Sequence, residues 1–65
     1  MIFSKEVIVI AVENYMLPYV ADLQRGTLTK DQVYELIKQG IKFTFETENG
    51  NYESAIQVLS ELIQI

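Results

Sequence analysis

The stretch NGNYESAIQVLSELIQI, residues 49–65, decides how the fold is interpreted, because its beginning and its continuation indicate different structures. Asn-Gly is a strong signal for a β-hairpin turn, and the second strand of a hairpin would alternate apolar and polar residues over 51–58. That alternation is only partial. Apolar side chains instead recur at helical spacing along the stretch, at Tyr52, Ala55, Ile56, Leu59, Leu62 and Ile63. The pattern therefore predicts a helix over 51–64, with Asn51 as its N-cap after a turn at Asn49-Gly50.

A metal loop at the same place is excluded by the positions of its ligands. If Gly50 is the sixth residue of an EF-hand loop, Phe45 is the first and Ile56 the twelfth, where carboxylates are required. The chain also lacks His and Cys, which are the usual ligands of zinc. We expect no bound metal ion and no cofactor.

The segment SKEVIVIAVENYMLPYVADLQRG, residues 4–26, is interpreted as one long helix over 4–25. Ser4 is suited to the N-cap position, and Gly26 stands where a helix stop is expected. Pro18 lacks a backbone donor and predicts a kink. The helical stripe consists of Ile8, Val12, Tyr15, Met16, Tyr19 and Leu23.

The middle of the chain predicts a second helix over 29–46. Thr29 and Gln32 have the spacing of a capping box. The stretch IKFTFETE, residues 41–48, alternates like a strand, but it also continues the helical stripe of Val33, Leu36, Ile37 and Ile41. Residues 1–65 are thus expected to form a single all-α, compact three-helix domain. The alternative is a small α+β domain with strands near 6–12 and 42–47.

Six consecutive apolar residues, from Val7 to Val12, are the best clue to function. In a helix such residues point in every direction, and two other short helices can cover only part of that surface. The sequence therefore predicts that this element meets another protein chain, either a second copy in a homodimer or a different protein. The expected apolar anchors are Val7, Val9, Ile10, Leu17 and Val20.

Charge is unevenly distributed along the chain. The formal net charge is −4, and all of it arises after residue 42, because residues 43–65 contain four Glu and no basic residue. A surface of one sign steers the encounter with a partner of the opposite sign. Glu46, Glu48 and Glu53 are the candidate residues for orienting a partner.

Three other classes of protein are disfavoured. An enzyme is not expected, because the usual general base and the strongest nucleophile are both missing. A small helical DNA-binding regulator is the alternative function, but the last helix carries no cation for phosphate contacts. The apolar run is far shorter than the ~18 residues of a membrane span, and the Cys-free composition fits a reducing compartment. We expect a cytoplasmic protein that contacts neither nucleic acid nor membrane.

The predicted function is therefore that of a small acidic protein-binding module. It would act sterically, as a dimeric adaptor or as an inhibitor or regulator of a larger protein. No motif assigns the chain to a known family. Its general character is similar to that of small helical accessory proteins of bacteria and their phages.

Overall fold

The structure, a computed structural model, describes residues 3–45 and 50–64. The regular structure in these ranges is helical throughout: α1 Lys5–Met16, a 3₁₀ helix Leu17–Tyr19, α2 Val20–Arg25, α3 Lys30–Phe45 and α4 Asn51–Ile63. Helices α1, α3 and α4 each pack against the other two. The all-α, three-helix prediction is confirmed. The strand alternative is wrong for residues 6–12 and 42–45, which are helical, while residues 46 and 47 lie outside the described ranges.

The signals at both ends of the first helical segment and at the start of α3 act as the sequence predicted. The backbone N–H of Val7 donates to the Ser4 hydroxyl at 3.3 Å, and Gly26 ends α2 in the left-handed conformation, with φ +75°. At the start of α3, the backbone N–H of Gln32 donates to the Thr29 hydroxyl at 3.2 Å, and that of Thr29 donates to Gln32 Oε1 at 2.9 Å. This reciprocal pair is a capping box, which satisfies two backbone donors that a helix start leaves free.

Pro18 interrupts the α-helical hydrogen bonding of the first helical segment. The chain forms one 3₁₀ turn at Leu17–Tyr19 and returns to α-helix at Val20. The cause is local, because proline cannot donate to the carbonyl four residues earlier and its ring crowds the preceding turn. The interruption confirms proline as the weak point of this segment. A bend of the helix axis at the same place stays a prediction.

The core is formed by one face of each of the three long helices. Within the described residues, α1 contributes two buried apolar side chains, and α3 and α4 contribute four each. Half-buried tyrosines at positions 15, 19, 34 and 52 pack around it. In the part of the chain that the structure describes, the buried apolar residues are Ile8, Val12, Val33, Ile37, Ile41, Phe45, Ala55, Val58, Leu59 and Ile63.

Asn51 has a different role from the one predicted. It is the first residue of α4, and Gly50, with φ +74°, occupies the N-cap position. Asn51 is only 4% exposed, and its Oδ1 accepts a 3.0 Å hydrogen bond from the backbone N–H of Phe3. The sequence could not reveal this bond because its two residues are 48 positions apart. Asn51 therefore ties the start of the chain to the start of the last helix.

Gly40 lies inside α3 because the ring of Tyr15 packs directly onto it. A Cβ atom at position 40 would stand 2.8 Å from Tyr15 Cε1 and 3.2 Å from Cδ1. The Tyr15 hydroxyl reaches one turn further along α3 and forms a hydrogen bond with the Thr44 hydroxyl. This close approach of α1 and α3 accounts for a residue that otherwise weakens a helix by about 1 kcal/mol.

Gly40→Ala is expected to destabilise the protein by about 1 kcal/mol. Crowding of the Tyr15 ring costs about 1–3 kcal/mol, as overpacking usually does, and it outweighs the roughly 1 kcal/mol gained in helix propensity. In a Tyr15→Ala background, the same change should instead stabilise by about 1 kcal/mol, because the ring is gone. Urea unfolding of the four proteins in this cycle measures both values. Equal stabilisation in the two backgrounds would contradict the packing argument.

Candidate protein interface

The apolar run from Val7 to Val12 is only partly covered by the rest of the chain. Ile8 and Val12 are buried, Val9 and Ala11 are half-buried, and Val7 and Ile10 remain 48% and 59% exposed. A helix turns by about 100° per residue, so the side chains that follow one another must point in different directions. The two neighbouring helices cover one side of α1, and the opposite side carries branched apolar residues into solvent.

The exposed side of α1 is continuous with the start of the 3₁₀ turn. Val7, Ile10, Asn14 and Leu17 follow one another at intervals of three and four residues, which places them on one side of a helix. All four are exposed, and Leu17 is the most exposed of the three apolar ones, at 68%. We call these four residues the outer face of α1.

A shallow groove extends this surface towards the end of α4. Leu17, Val20 and Leu62 line it together with Met16 and Glu13. The sequence pattern placed Leu62 in the apolar stripe of the last helix, yet its side chain is 38% exposed. Leu62 therefore joins the predicted anchors Leu17 and Val20 on one apolar surface.

The predicted anchors differ in how much surface they offer. Val7, Ile10, Leu17 and Val20 are all exposed, whereas Val9 is half-buried and packs against the core. Val9 therefore offers a partner less apolar surface than the other four anchors do.

The predicted acidic residues are placed only in part. Glu53 is exposed in the first turn of α4. It follows the buried Asn51 by two residues and so points away from the core. Glu46 and Glu48 lie outside the described residues. Glu53 and the apolar anchors stand on different helices, so that an acidic contribution would act on the approach of a partner more than at the apolar contact itself.

Phe43 is a candidate that the sequence analysis missed. Its side chain on α3 is 89% exposed, and Leu36, seven residues earlier on the same side of the helix, is exposed as well. In the sequence, Ile41, Phe43 and Phe45 occupy every second position and look equivalent. Ile41 and Phe45 are buried, so this pattern concealed the exposure of Phe43. Helical phase could have separated them. Phe43 is two residues from each of these neighbours, and in a helix two residues correspond to a rotation of about 200°.

Within residues 3–45 and 50–64, no three His, Cys, Asp or Glu side chains come together as a metal site would need. No helix in that part of the chain is long and apolar enough to cross a membrane. The basic side chains are spread over α1, α2 and α3, and Arg25 is engaged with Asp22 at 3.2 Å. The outer face of α1 differs from these scattered charges in bringing three exposed apolar side chains onto one side of a helix.

Comparison with known proteins adds no candidate function, since no family model, curated protein or solved structure matches this chain.

Proposed function

We propose that this chain is a small protein-binding module that acts sterically, as a dimeric adaptor or as an inhibitor or regulator of a larger protein. The observation that supports the proposal most is the exposure of Ile10 and Leu17 on the outer face of α1. Large exposed apolar side chains two turns apart on one helix face are typical of a surface that another protein covers. A cytoplasmic location, predicted from the Cys-free composition, is part of the same proposal.

The energetics favour binding over a purely structural role for these residues. Complete burial of a Val, Leu or Ile side chain contributes about 1.5–3 kcal/mol. The core leaves about half or more of Val7, Ile10 and Leu17 in water, so most of that stabilisation is still available to a complex. Binding also has to offset the lost freedom of two molecules, and several anchors on one helix face are what such an association requires.

The acidic last third of the chain would orient the approach of a partner. Its charge is of one sign, and Glu53 is exposed at the start of α4. Complementary charge raises the rate of association more than the affinity. A partner with a basic surface would thus be drawn to the acidic part of the domain.

Affinity capture with an Ile10→Lys variant tests the proposal. The wild-type chain, tagged and used as bait in a cell extract, should retain one or a few proteins, its own untagged copy included. Ile10→Lys should lose them, because a charge would be buried at the contact. Gln39→Lys adds the same charge at an exposed site on α3 and should retain them. Circular dichroism should show all three proteins equally folded.

Two outcomes would contradict the proposal. One is that wild type and Ile10→Lys retain the same proteins in the same amounts. The other is that the chain shifts a nonspecific DNA duplex at low salt, with an affinity that falls steeply as salt is added, which would favour the DNA-binding alternative.

A further inference from the structure

The outer face of α1 has the spacing of a short coiled-coil seam. Val7, Ile10, Asn14 and Leu17 correspond to positions a, d, a and d of a heptad. This seam is separate from the core stripe, because Ile8 and Val12 are buried on the other side of the same helix. The α-helical dihedral angles continue to Leu17, so the four residues keep that spacing in the structure. A helix with two apolar sides is thus covered on one side only.

Asn14 indicates which molecule covers the second side. It is exposed in the middle of an otherwise apolar seam. An amide side chain both donates and accepts hydrogen bonds, so the group that satisfies it best at a contact between helices is another amide facing it. A single Asn at an a position is known to set the register and number of helices in a coiled coil. A second copy of this chain supplies that amide at the required place.

We infer that two copies associate through α1 in parallel and in register, with their Asn14 side chains hydrogen-bonded to each other at the two-fold axis. This inference rests on the proposed function and names the occupant of the same surface. In an antiparallel pair, a positions face d positions. Asn14 would then stand against Ile10 or Leu17 of the second copy, and its amide would lack a partner.

The residues that flank the seam are compatible with the parallel arrangement. In a parallel pair, each g position approaches the e position five residues later in the second copy. Glu6 and Glu13 would face Ala11 and Pro18, respectively. No two acidic side chains are brought together, so like-charge repulsion does not oppose this register.

The size of the seam sets the affinity to expect. The seam runs from Val7 to Leu17, a distance of about 15 Å along the helix at 1.5 Å per residue. One helix face of this length provides an interface at the small end of the range for specific complexes. Association in the micromolar range is therefore expected, and measurements should extend to several hundred micromolar protein.

Disulfide cross-linking tests the orientation directly, because the chain has no Cys of its own. Val7→Cys and Leu17→Cys are oxidised separately and as an equal mixture, and the products are identified by mass spectrometry. A disulfide requires Cα atoms about 4.4–6.8 Å apart. In the parallel pair, each variant should cross-link to itself. The mixed product should be absent, because residues 7 and 17 are separated by about 15 Å along the helix.

Phe43→Cys is the matched control, since position 43 is more exposed than position 7 but lies on another helix. It should cross-link at least about tenfold more slowly than Val7→Cys. Mixed products between positions 7 and 17 would overturn the parallel arrangement. Cross-linking of Val7→Cys no faster than Phe43→Cys would overturn the pairing of copies altogether. The proposed function would still stand in that case if Ile10→Lys abolished capture of a different protein.

The role of Asn14 is tested by Asn14→Val in the same cross-linking variants. With an apolar residue at the a position, the copies should associate about tenfold more tightly and lose their single orientation. The mixed product between positions 7 and 17 should then appear. An Asn14→Val protein that still cross-links only in parallel, with unchanged affinity, would show that Asn14 does not select the arrangement.

Discussion

Leu59→Ala is expected to lower the free energy of unfolding by about 2–5 kcal/mol, the usual cost of truncating a fully buried leucine. Leu59 lies in α4 and is wholly buried among the three helices. A domain of this length is stable by roughly 3–10 kcal/mol, at about 0.05–0.15 kcal/mol per residue. At the middle of both ranges, the substitution therefore removes about half of the stability. Urea titration followed by circular dichroism at 222 nm measures the change.

Leu17→Ala is the matched control for that experiment, because it removes the same atoms from an exposed position. Its effect on the unfolding of the monomer should stay within about 0.5 kcal/mol. Both titrations should be run at two protein concentrations, since association would add a concentration-dependent stabilisation. Equal losses for Leu59→Ala and Leu17→Ala would contradict the packing described for α4.

The second large effect is on self-association, for which we expect Leu17 to matter more than Leu59. Leu17→Ala should weaken self-association by about 2 kcal/mol or more, or about 30-fold in the dissociation constant, if Leu17 is a hot spot. Both copies carry the substitution, so this value is the smallest loss of affinity that we expect. Sedimentation equilibrium over a range of concentrations measures it.

Leu36→Ala is the control for association, because Leu36 is also an exposed leucine but lies on α3. It should leave the dissociation constant unchanged within a factor of about two, as expected for a surface change away from the contact. A Leu36→Ala protein that dissociates as readily as Leu17→Ala would move the interface from α1 to the α3 surface that includes Phe43. A wild-type chain that stays monomeric at several hundred micromolar would contradict the dimer itself.

The local parts of the fold could be predicted from the sequence because their causes lie within a few residues. The Ser4 cap, the capping box of Thr29 and Gln32 and the stop at Gly26 each join atoms no more than one turn apart. The interruption at Pro18 has the same local origin. Helical periodicity then decided between a hairpin and a helix after Asn49-Gly50, since a stripe repeated over several turns outweighs one dipeptide.

The candidate interface could be predicted only in part. Six successive apolar residues exceed what one buried helix face can accommodate, so some exposure near Val7 and Ile10 followed from the sequence. The half-burial of Val9 and the exposure of Leu62 and Phe43 did not follow. Each depends on how much of the side chain a neighbouring helix covers. Hydropathy gives an apolar residue the same value whether it is covered or exposed.

The sequence alone determined the three helices, the caps of the first two and an excess of apolar residues on the first, because these depend on the chemistry of neighbours along the chain. Only the tertiary structure decided that Asn51 holds the start of the chain, that Gly40 makes room for Tyr15, and that Asn14 stands within an uncovered apolar seam. Those three features depend on which helix faces meet. Such contacts join residues distant in sequence, and a pattern read along one chain does not encode their distances.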